Sequence, residues 1–345
     1  MEDPGIIRSG AIDGPPATTL AVMPADAGPV PAWLRAPPHL WQPGTLDRDA
    51  LHAAADELAR SPGFATAAAG FAVSWQAAYD GNATLRAVMR NSARYMFLVT
   101  CMYMHHCRRA DDPGAGITVS RIIESYRGKE RFGTVASPSR VKAFVAHCRQ
   151  RGLLRPVCVP AAQAAGDARV RLLEPTPRLE SSLGDWTLGF LRGIAPVLPL
   201  LAPPEVMLRQ PGFVGELFSY RVSALVQDGF ALPERHPLMQ WIMSRERGYH
   251  VFLSLVREMR VLADGSALAD IQPAVLARRA AVSRGTVLNL LDGCERQDLL
   301  VREGACRRLH LQPAFVERSL QWIALEFLWM HGLAVAAWAR VARPA

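Results

Sequence analysis

A segment of nineteen residues occurs twice in this chain, and this repeat constrains the fold more than any other feature of the sequence. The first copy covers residues 137–155 and the second covers residues 283–301. Aligned without gaps, the copies share a leading serine, a valine, a cysteine and a pair of leucines: Ser137 with Ser283, Val141 with Val287, Cys148 with Cys294, and Leu153-Leu154 with Leu299-Leu300. Such a repeat predicts two copies of one structural unit in the same chain.

Each copy predicts a short amphipathic helix that starts at its serine, because a serine hydroxyl can accept a hydrogen bond from the first helical turn. Apolar residues then recur at helical spacing in both copies: Val141, Phe144, Val145 and Cys148, and Val287, Leu290, Leu291 and Cys294. The opposite face carries small and polar side chains. Such a face suits insertion into the major groove of DNA, and the alternative interpretation is an ordinary amphipathic helix.

Around each copy the sequence predicts the same order of three helices, a two-stranded hairpin and a long closing helix. In the first unit we expect one long helix from Thr84 to about His106, and in the second a mostly helical stretch over residues 237–262. This order is that of a winged helix with a helical extension. The predicted fold is therefore mainly α with small β-hairpin wings, in which two tandem winged-helix domains form a pseudo-dimer.

The same pattern divides the chain into four segments. Residues 1–45 are rich in Pro, Gly and Ala without periodicity, which predicts a flexible arm. Residues 46–195 form the first predicted winged-helix unit, and residues 196–212 form a Pro-rich hinge. Residues 213–345 form the second unit, which ends in a long C-terminal helix.

Charge is distributed unevenly along the chain, whose formal net charge is +8. Residues 1–80 carry nine acidic residues against four arginines, whereas residues 117–178 carry twelve basic residues against four acidic ones. Residues 270–318, around the second copy, carry eight arginines against six acidic residues. A basic patch on the first unit is typical of nucleic-acid binding, with a solvated basic face as the alternative.

Other kinds of chemistry find little support in the sequence. The six cysteines show no paired spacing, which is typical of thiols in a reducing cytoplasm, and we see no signal peptide. Cys101 and His105 stand four residues apart, but we interpret them as a buried thiol and a core histidine rather than metal ligands. Because no catalytic or phosphate-binding motif is present, we expect neither an enzyme nor a cofactor.

Two further stretches admit two interpretations each. Residues 320–339 are the one membrane candidate, and we interpret them as a buried or dimer-forming helix that does not span a membrane, since they include Glu326 and His331. Several residues of the first unit's helices suggest either a pocket for a small-molecule effector or simple packing, and we prefer packing: Trp75, Tyr95, Met102 and Tyr103.

The first unit, over roughly residues 84–195, resembles the MarR-type winged-helix regulators. Gly152-Leu-Leu-Arg155 is similar to the end of that family's recognition helix, and Asp167-Ala-Arg169 is similar to its wing signature. Thr176 stands where the family has the threonine that opens its closing helix. The resemblance implies that Asp167 positions Arg169 for contact with DNA. The second unit resembles the family less, because its wing is short and lacks the Asp-x-Arg signature.

These observations favour a cytoplasmic, nucleoid-associated transcriptional regulator that binds double-stranded DNA, with unequal half-sites and with homodimerisation through the C-terminal helix as a further prediction. A plasmid-type replication initiator and a protein-interaction scaffold that binds no DNA are the alternatives. The candidate DNA-binding residues of the first unit are Ser137, Ser139, Arg140, Lys142, Ala143, Arg155, Asp167, Arg169 and Arg171. Those of the second unit are Ser283, Arg284, Thr286, Asn289, Arg302, Arg307 and Arg308.

Overall fold

A computed structural model describes residues 46–108, 116–126, 137–157, 172–226, 229–303 and 308–342. Over these residues the chain is mainly helical and carries small antiparallel sheets, as the sequence predicts. The predicted arm, residues 1–45, lies outside the described residues.

The N-terminal half of the described chain contains seven helices and one hairpin within the residues that the structure covers. Its helices are α1 (Arg48–Arg60), α2 (Phe64–Gly81), α3 (Ala83–Val88), α4 (Ser92–His106), α5 (Val119–Tyr126), α6 (Pro138–Gln150) and α7 (Pro177–Ile194). Between α6 and α7, strand β1 (Leu154–Pro156) pairs antiparallel with β2 (Leu173–Pro175). Ile117, just before α5, bridges to Leu173 and extends this small sheet.

The C-terminal half follows the same order with a larger sheet. Its helices are α8 (Pro204–Arg209), α9 (Phe213–Val226), α10 (Pro237–Ser244), α11 (Gly248–Glu258), α12 (Pro273–Ala280), α13 (Arg284–Glu295) and α14 (Pro313–Val341). Its strands are β3 (Met259–Val261), β4 (Ala267–Ala269), β5 (Leu300–Glu303) and β6 (Arg308–Leu311). They form one antiparallel sheet in the order β3-β4-β6-β5, so that the strand before α12 joins the hairpin after α13.

Two predicted helices are interrupted, and a local cause is visible at each break. The expected helix over 84–106 ends at Val88 and restarts at Ser92, because the side chain of Asn91 accepts a bond from Arg94 N–H and caps α4. The expected helical stretch over 237–262 breaks before α11, where Arg247 adopts a left-handed φ of 51°. Its last residues form β3 instead, since they pair with β4.

The two copies of the repeat make equivalent backbone hydrogen bonds where each helix turns into its hairpin. Leu153 N–H donates to the carbonyl of Cys148 at 2.9 Å, and Leu299 N–H donates to that of Cys294 at 3.0 Å. The carbonyls of the same two leucines each accept a bond, at 2.9 Å, from the residue that precedes the closing helix. The predicted hairpins and closing helices are thus present in both halves, with β2 ending the first hairpin and β6 the second.

The helices of the two halves interlock. In each half the leading long helix packs on the closing one, α2 on α7 and α9 on α14. Across the halves, α4 packs on α9 and α11 packs on α2, while α1 lies along α14. The division at a hinge over 196–212 remains a prediction, and within that stretch the chain forms α8.

Glycines allow α2 and α7 to approach closely. A Cβ at Gly189 would lie 2.2 Å from Ala78 Cβ, and one at Gly193 would lie 2.7 Å from the ring of Phe71. Both distances are shorter than carbon atoms tolerate, so these positions need glycine for the helices to cross as they do.

Helix α14 is the core element of the C-terminal half. By length and composition it is apolar enough to cross a membrane, and 89% of its most apolar window is buried inside the protein. Its neighbours include α1, α9 and α2. Burial within the chain accounts for the apolar composition of residues 320–339, because a helix that is apolar on all sides must be covered on all sides.

Candidate nucleic-acid interface and central cavity

Helices α6 and α13 are the candidate DNA-contacting helices, and serines cap both as the sequence predicts. The Ser137 hydroxyl accepts a bond from Arg140 N–H at 3.4 Å, and the Ser283 hydroxyl accepts one from Thr286 N–H at 3.0 Å. A serine in this position satisfies a backbone donor that the helix itself leaves without an acceptor. Both helices therefore begin at the residues that the repeat predicts.

The predicted apolar stripes are buried in both helices. They consist of Val141, Phe144, Val145 and Cys148 in α6, and of Val287, Leu290, Leu291 and Cys294 in α13. Burial raises the pKa of the thiols of Cys148 and Cys294 to about 12, so that they stay protonated. These cysteines are packing residues.

The opposite face of α6 is exposed to solvent. It presents Ser139, Arg140, Lys142 and Ala143, with Ser137 exposed at the cap. The corresponding face of α13 exposes Arg284 and Asn289 beside its cap Ser283, and Thr286 is half-buried with its hydroxyl 2.9 Å from the Ser283 hydroxyl. Each predicted helix face is accessible over its described residues and combines a cation with small or hydrogen-bonding side chains.

The hairpin of the first half is described only in part. Arg155 is exposed and pairs with Glu174 on the neighbouring strand at 2.5 Å. Thr176 precedes α7, and its hydroxyl donates to the carbonyl of Gly152 at 2.7 Å, which ties the closing helix to the turn after α6. Three predicted wing residues lie outside the described residues: Asp167, Arg169 and Arg171.

Arginines of the second hairpin are paired with acidic residues of the same half. Arg302 contacts Glu295 and also Asp292, the latter at 2.7 Å, and is only partly exposed. Arg308 pairs with Asp270 at 2.7 Å, and Asp270 also contacts Arg260. The predicted residue Arg307 lies outside the described residues.

These ion pairs persist over a wide pH range. The hydrogen bond from Arg308 lowers the pKa of Asp270, and the hydrogen bond from Arg302 lowers the pKa of Glu295. Both carboxylates are therefore charged wherever DNA binding would be measured. Sequence reasoning missed these pairs, although the near balance of charge over 270–318 was a signal for them.

A cavity of about 450 Å³ lies between the two halves, away from α6 and α13. Trp75 and Tyr95, two of the four residues for which the sequence suggested either a pocket or, as we preferred, packing, line it. The other two, Met102 and Tyr103, are not among its lining residues; Met102 is buried in the core and Tyr103 packs at its edge. The sequence indicated part of this lining but not its position between the halves.

Aromatic residues from equivalent positions of the two units meet around this cavity. Tyr95 of α4 and Trp186 of α7 line one side, with ring centroids 5.5 Å apart. Tyr249 of α11 and Trp322 of α14 line the other side. The repeat thus contributes a tyrosine and a tryptophan twice to one shared space.

Glu326 breaks this equivalence. Four residues after the tryptophan, the closing helix carries Phe190 in the first half and Glu326 in the second. The Tyr249 hydroxyl donates to the carboxyl of Glu326. Burial raises the pKa of Glu326 to about 7, and Tyr249 and Arg221 limit the rise by stabilising the charged form.

Comparison with protein-family models, with curated proteins and with solved structures found no match to this chain. The functional assignment therefore rests on the geometry of α6, α13 and their hairpins.

Proposed function

We propose that this protein is a transcriptional regulator that binds double-stranded DNA through two winged helices in one chain. The observation that carries the proposal is the pairing of a buried apolar stripe with an exposed, donor-bearing face on both α6 and α13. A helix of this kind, standing before a hairpin, is the element that winged-helix proteins place in the major groove.

The order of elements supports the same assignment. In each half a long helix is followed by a short extended segment, two helices, an antiparallel hairpin and a closing helix. The extended segment pairs with the second strand of the hairpin in both halves. This is the arrangement expected of a winged helix, and it agrees with the resemblance of the first unit to the MarR-type regulators.

The interlocked helices would hold the two units at a fixed separation within one molecule. Family members of the MarR type reach such an arrangement by dimerisation, so that a single chain here would act as a pseudo-dimer. Because α6 and α13 differ in every exposed residue except the capping serine, the preferred DNA site is an asymmetric one. Homodimerisation and a cytoplasmic, nucleoid-associated location remain predictions.

The first unit is proposed to dominate affinity and specificity. Arg140 and Lys142 lie on the exposed face of α6, and cations placed along DNA phosphates release counterions on binding. The described hairpin arginines are paired with acidic neighbours in both units, Arg155 in the first and Arg302 and Arg308 in the second, so the difference lies in the cations of α6. A paired arginine must give up its carboxylate before it can contact a phosphate, which weakens its contribution.

Selection of bound sequences from random duplex DNA, followed by titration of the selected site against salt, tests this proposal. Arg140→Ala is expected to reduce affinity for the selected site roughly ten- to hundredfold, as loss of a bidentate contact to guanine would. Arg284→Ala is expected to cost less than about threefold, since the second unit contributes little. Arg209→Ala on α8, an exposed arginine outside both helices and their hairpins, is the matched control.

Each outcome has a definite meaning. Enrichment of an asymmetric motif that depends on Arg140 supports a sequence-specific regulator. No enrichment, together with affinity that does not change with salt, overturns it and favours the scaffold hypothesis, for which the internal ion pairs of the second unit are the supporting observation. Selected direct repeats would favour the replication initiator.

A further inference from the structure

A continuous path of aromatic rings crosses the central cavity between two arginines. Arg247 lies over the ring of Tyr79 at 5.8 Å, and Tyr79 stacks on Trp75 with centroids 5.2 Å apart. Trp75 meets Trp186 edge to face at 6.4 Å. Trp186 contacts Tyr95, and Arg221 lies over the Tyr95 ring at 5.1 Å, so the path has a cation at each end. Rings in such a row offer flat surfaces on which a planar ligand can stack.

Several buried hydrogen-bond donors that line the cavity have no partner within the described part of the chain. The indole N–H groups of Trp75 and Trp186 are among them. These residues are only 4% and 5% exposed, so bulk water does not take the place of a partner. The Tyr95 hydroxyl is another. A buried donor without an acceptor costs free energy, and native proteins rarely leave several of them together without a role for them.

The end of the cavity at Arg247 is particularly rich in donors. Arg247 uses one terminal nitrogen to donate to the carbonyl of Arg86 at 2.9 Å, and its Nε and other terminal nitrogen have no partner among the described residues. Nε of Arg90 beside it is also without a partner, while Arg90 contacts Glu246 through a terminal nitrogen. The N–H groups of a guanidinium can donate charge-assisted hydrogen bonds to an oxygen of a carboxylate or sulfonate.

The opposite end carries the one buried carboxyl of the lining, Glu326, already engaged by Tyr249. Because its pKa is about 7, this carboxyl is largely protonated in mildly acidic solution and can itself donate a hydrogen bond. His250, whose ring nitrogens lack hydrogen-bond partners within the described ranges, is neutral at physiological pH because burial lowers its pKa to about 4. Three arginines, Arg90, Arg221 and Arg247, stand against two glutamates, Glu234 and Glu326, so positive charge exceeds negative charge in the lining.

We infer that the cavity binds one flat, multi-ring organic anion per chain, stacked along the aromatic path with its acidic group on the guanidinium of Arg247. A volume of about 450 Å³ falls within the roughly 300–1,000 Å³ that small-molecule sites occupy. Both halves contribute lining residues, so the site exists only in the assembled chain. This inference is independent of DNA binding and would hold for either a regulator or a scaffold.

Two fluorescent probes with the same ring system separate the contributions of stacking and charge. 8-Anilinonaphthalene-1-sulfonate is an anion in which an amine joins a phenyl ring to a naphthalene. N-phenyl-1-naphthylamine is the same molecule without the sulfonate. Titrated into the full-length protein, the anion is expected to bind at one site per chain and about tenfold more tightly than the neutral probe, because of its charge-assisted contact with Arg247.

Variants then locate the anion. Arg247→Gln is expected to remove the advantage of the anionic probe and to leave the neutral probe within about twofold. Trp186→Phe, which keeps an aromatic ring but replaces the indole and so deletes its N–H, is expected to weaken the anionic probe by a few-fold. Arg257→Gln, on helix α11, which begins directly after Arg247, lies outside the lining; it is the matched control and is expected to change neither affinity.

Three results would overturn the inference: equal affinity of the two probes, several sites per chain, or a loss in Arg257→Gln equal to that in Arg247→Gln. Since Arg247 has a left-handed backbone, its variant is checked by thermal melting. If it does not fold, Arg90→Gln provides the same test from the loop before α4. Unchanged anion affinity in the folded variant of either arginine also rejects the proposed position of the acidic group.

Discussion

Helices α6 and α13 occupy equivalent places in the two halves, yet their surroundings carry charge differently. Both begin at a capping serine and bury the same four positions. Beside α13, however, Asp270 contacts two arginines, and Arg302 contacts both Asp292 and Glu295. The comparison indicates that the two copies share the residues that pack and differ in the residues that face solvent.

This difference has a physical cause. A buried position is constrained by its neighbours, because interiors are close-packed and a change in volume costs free energy. An exposed position is constrained only by what it binds, so two copies within one chain are free to differ there. The equivalent leucines Leu153 and Leu299 and the differing exposed residues Ala143 and Asn289 illustrate the two cases.

The largest expected effect tests whether the buried residues of the two copies contribute equally to stability. Leu153→Ala and Leu299→Ala each remove a fully buried side chain from the turn after the helix, and each is expected to lower the free energy of unfolding by about 2–5 kcal/mol. Denaturant unfolding measures both. Ser139→Ala, at an exposed position, is the control and should change stability by less than about 0.5 kcal/mol. A large loss from only one leucine would contradict the equivalence.

The next effect concerns the closing helices, where Phe190 corresponds to Glu326. Because the pKa of Glu326 in the folded protein is about 7, above its ordinary 4.5, the fold favours the protonated carboxyl. Below pH 4.5 the burial of this carboxyl does not lower the free energy of unfolding. Above pH 7, where the carboxyl must be ionised, its burial lowers the free energy of unfolding by about 3 kcal/mol. Glu326→Gln should therefore stabilise the protein at pH 8 and leave it unchanged near pH 4.5.

Thermal and denaturant unfolding at the two pH values measure this difference. The control is Glu317→Gln, an exposed glutamate on the same helix α14, which should have little effect at either pH. Equal effects of Glu326→Gln at both pH values would show that its carboxyl is not protonated by burial and that the two closing helices differ less than proposed.

The smallest expected effect tests the charge difference itself. Asp270→Asn removes the carboxylate that engages Arg260 and Arg308, so both arginines become available to phosphates. If the protein binds DNA, affinity should rise roughly threefold and the dependence of log affinity on log salt should steepen by about one. Asp298→Asn removes one negative charge from the same half at a position that makes no arginine ion pair among the described residues. Asparagine also tolerates the left-handed φ of 54° at this position. Equal gains from both variants would assign the effect to net charge alone.

Local patterns in the sequence predicted the candidate DNA-contacting helices well. Capping by Ser137 and Ser283 and burial of the apolar stripes depend on residues within one or two helical turns, so they are visible in a short window. The interrupted helices at Asn91 and Arg247 were missed, because a cap or a left-handed residue inside an apolar run changes the backbone without changing the periodicity.

Features that join distant residues could not be predicted in the same way. The contacts between α4 and α9 and between α11 and α2 depend on helix faces that the sequence does not match to one another. The pairing of Asp270 with Arg308 brings together residues 38 positions apart, which only the sheet order decides. The predicted wing residues Asp167, Arg169, Arg171 and Arg307 lie outside the described residues and stay predictions.

The sequence by itself determined that one segment occurs twice, where the helix of each copy begins and which of its faces is buried. Hydrogen bonds of the backbone and the spacing of apolar residues decide these features locally. Only the tertiary structure decided that the halves interlock, that Arg302 and Arg308 are neutralised, and that aromatic residues of both halves enclose one cavity. These features arise when packed helices and paired strands bring residues together that are far apart in the chain.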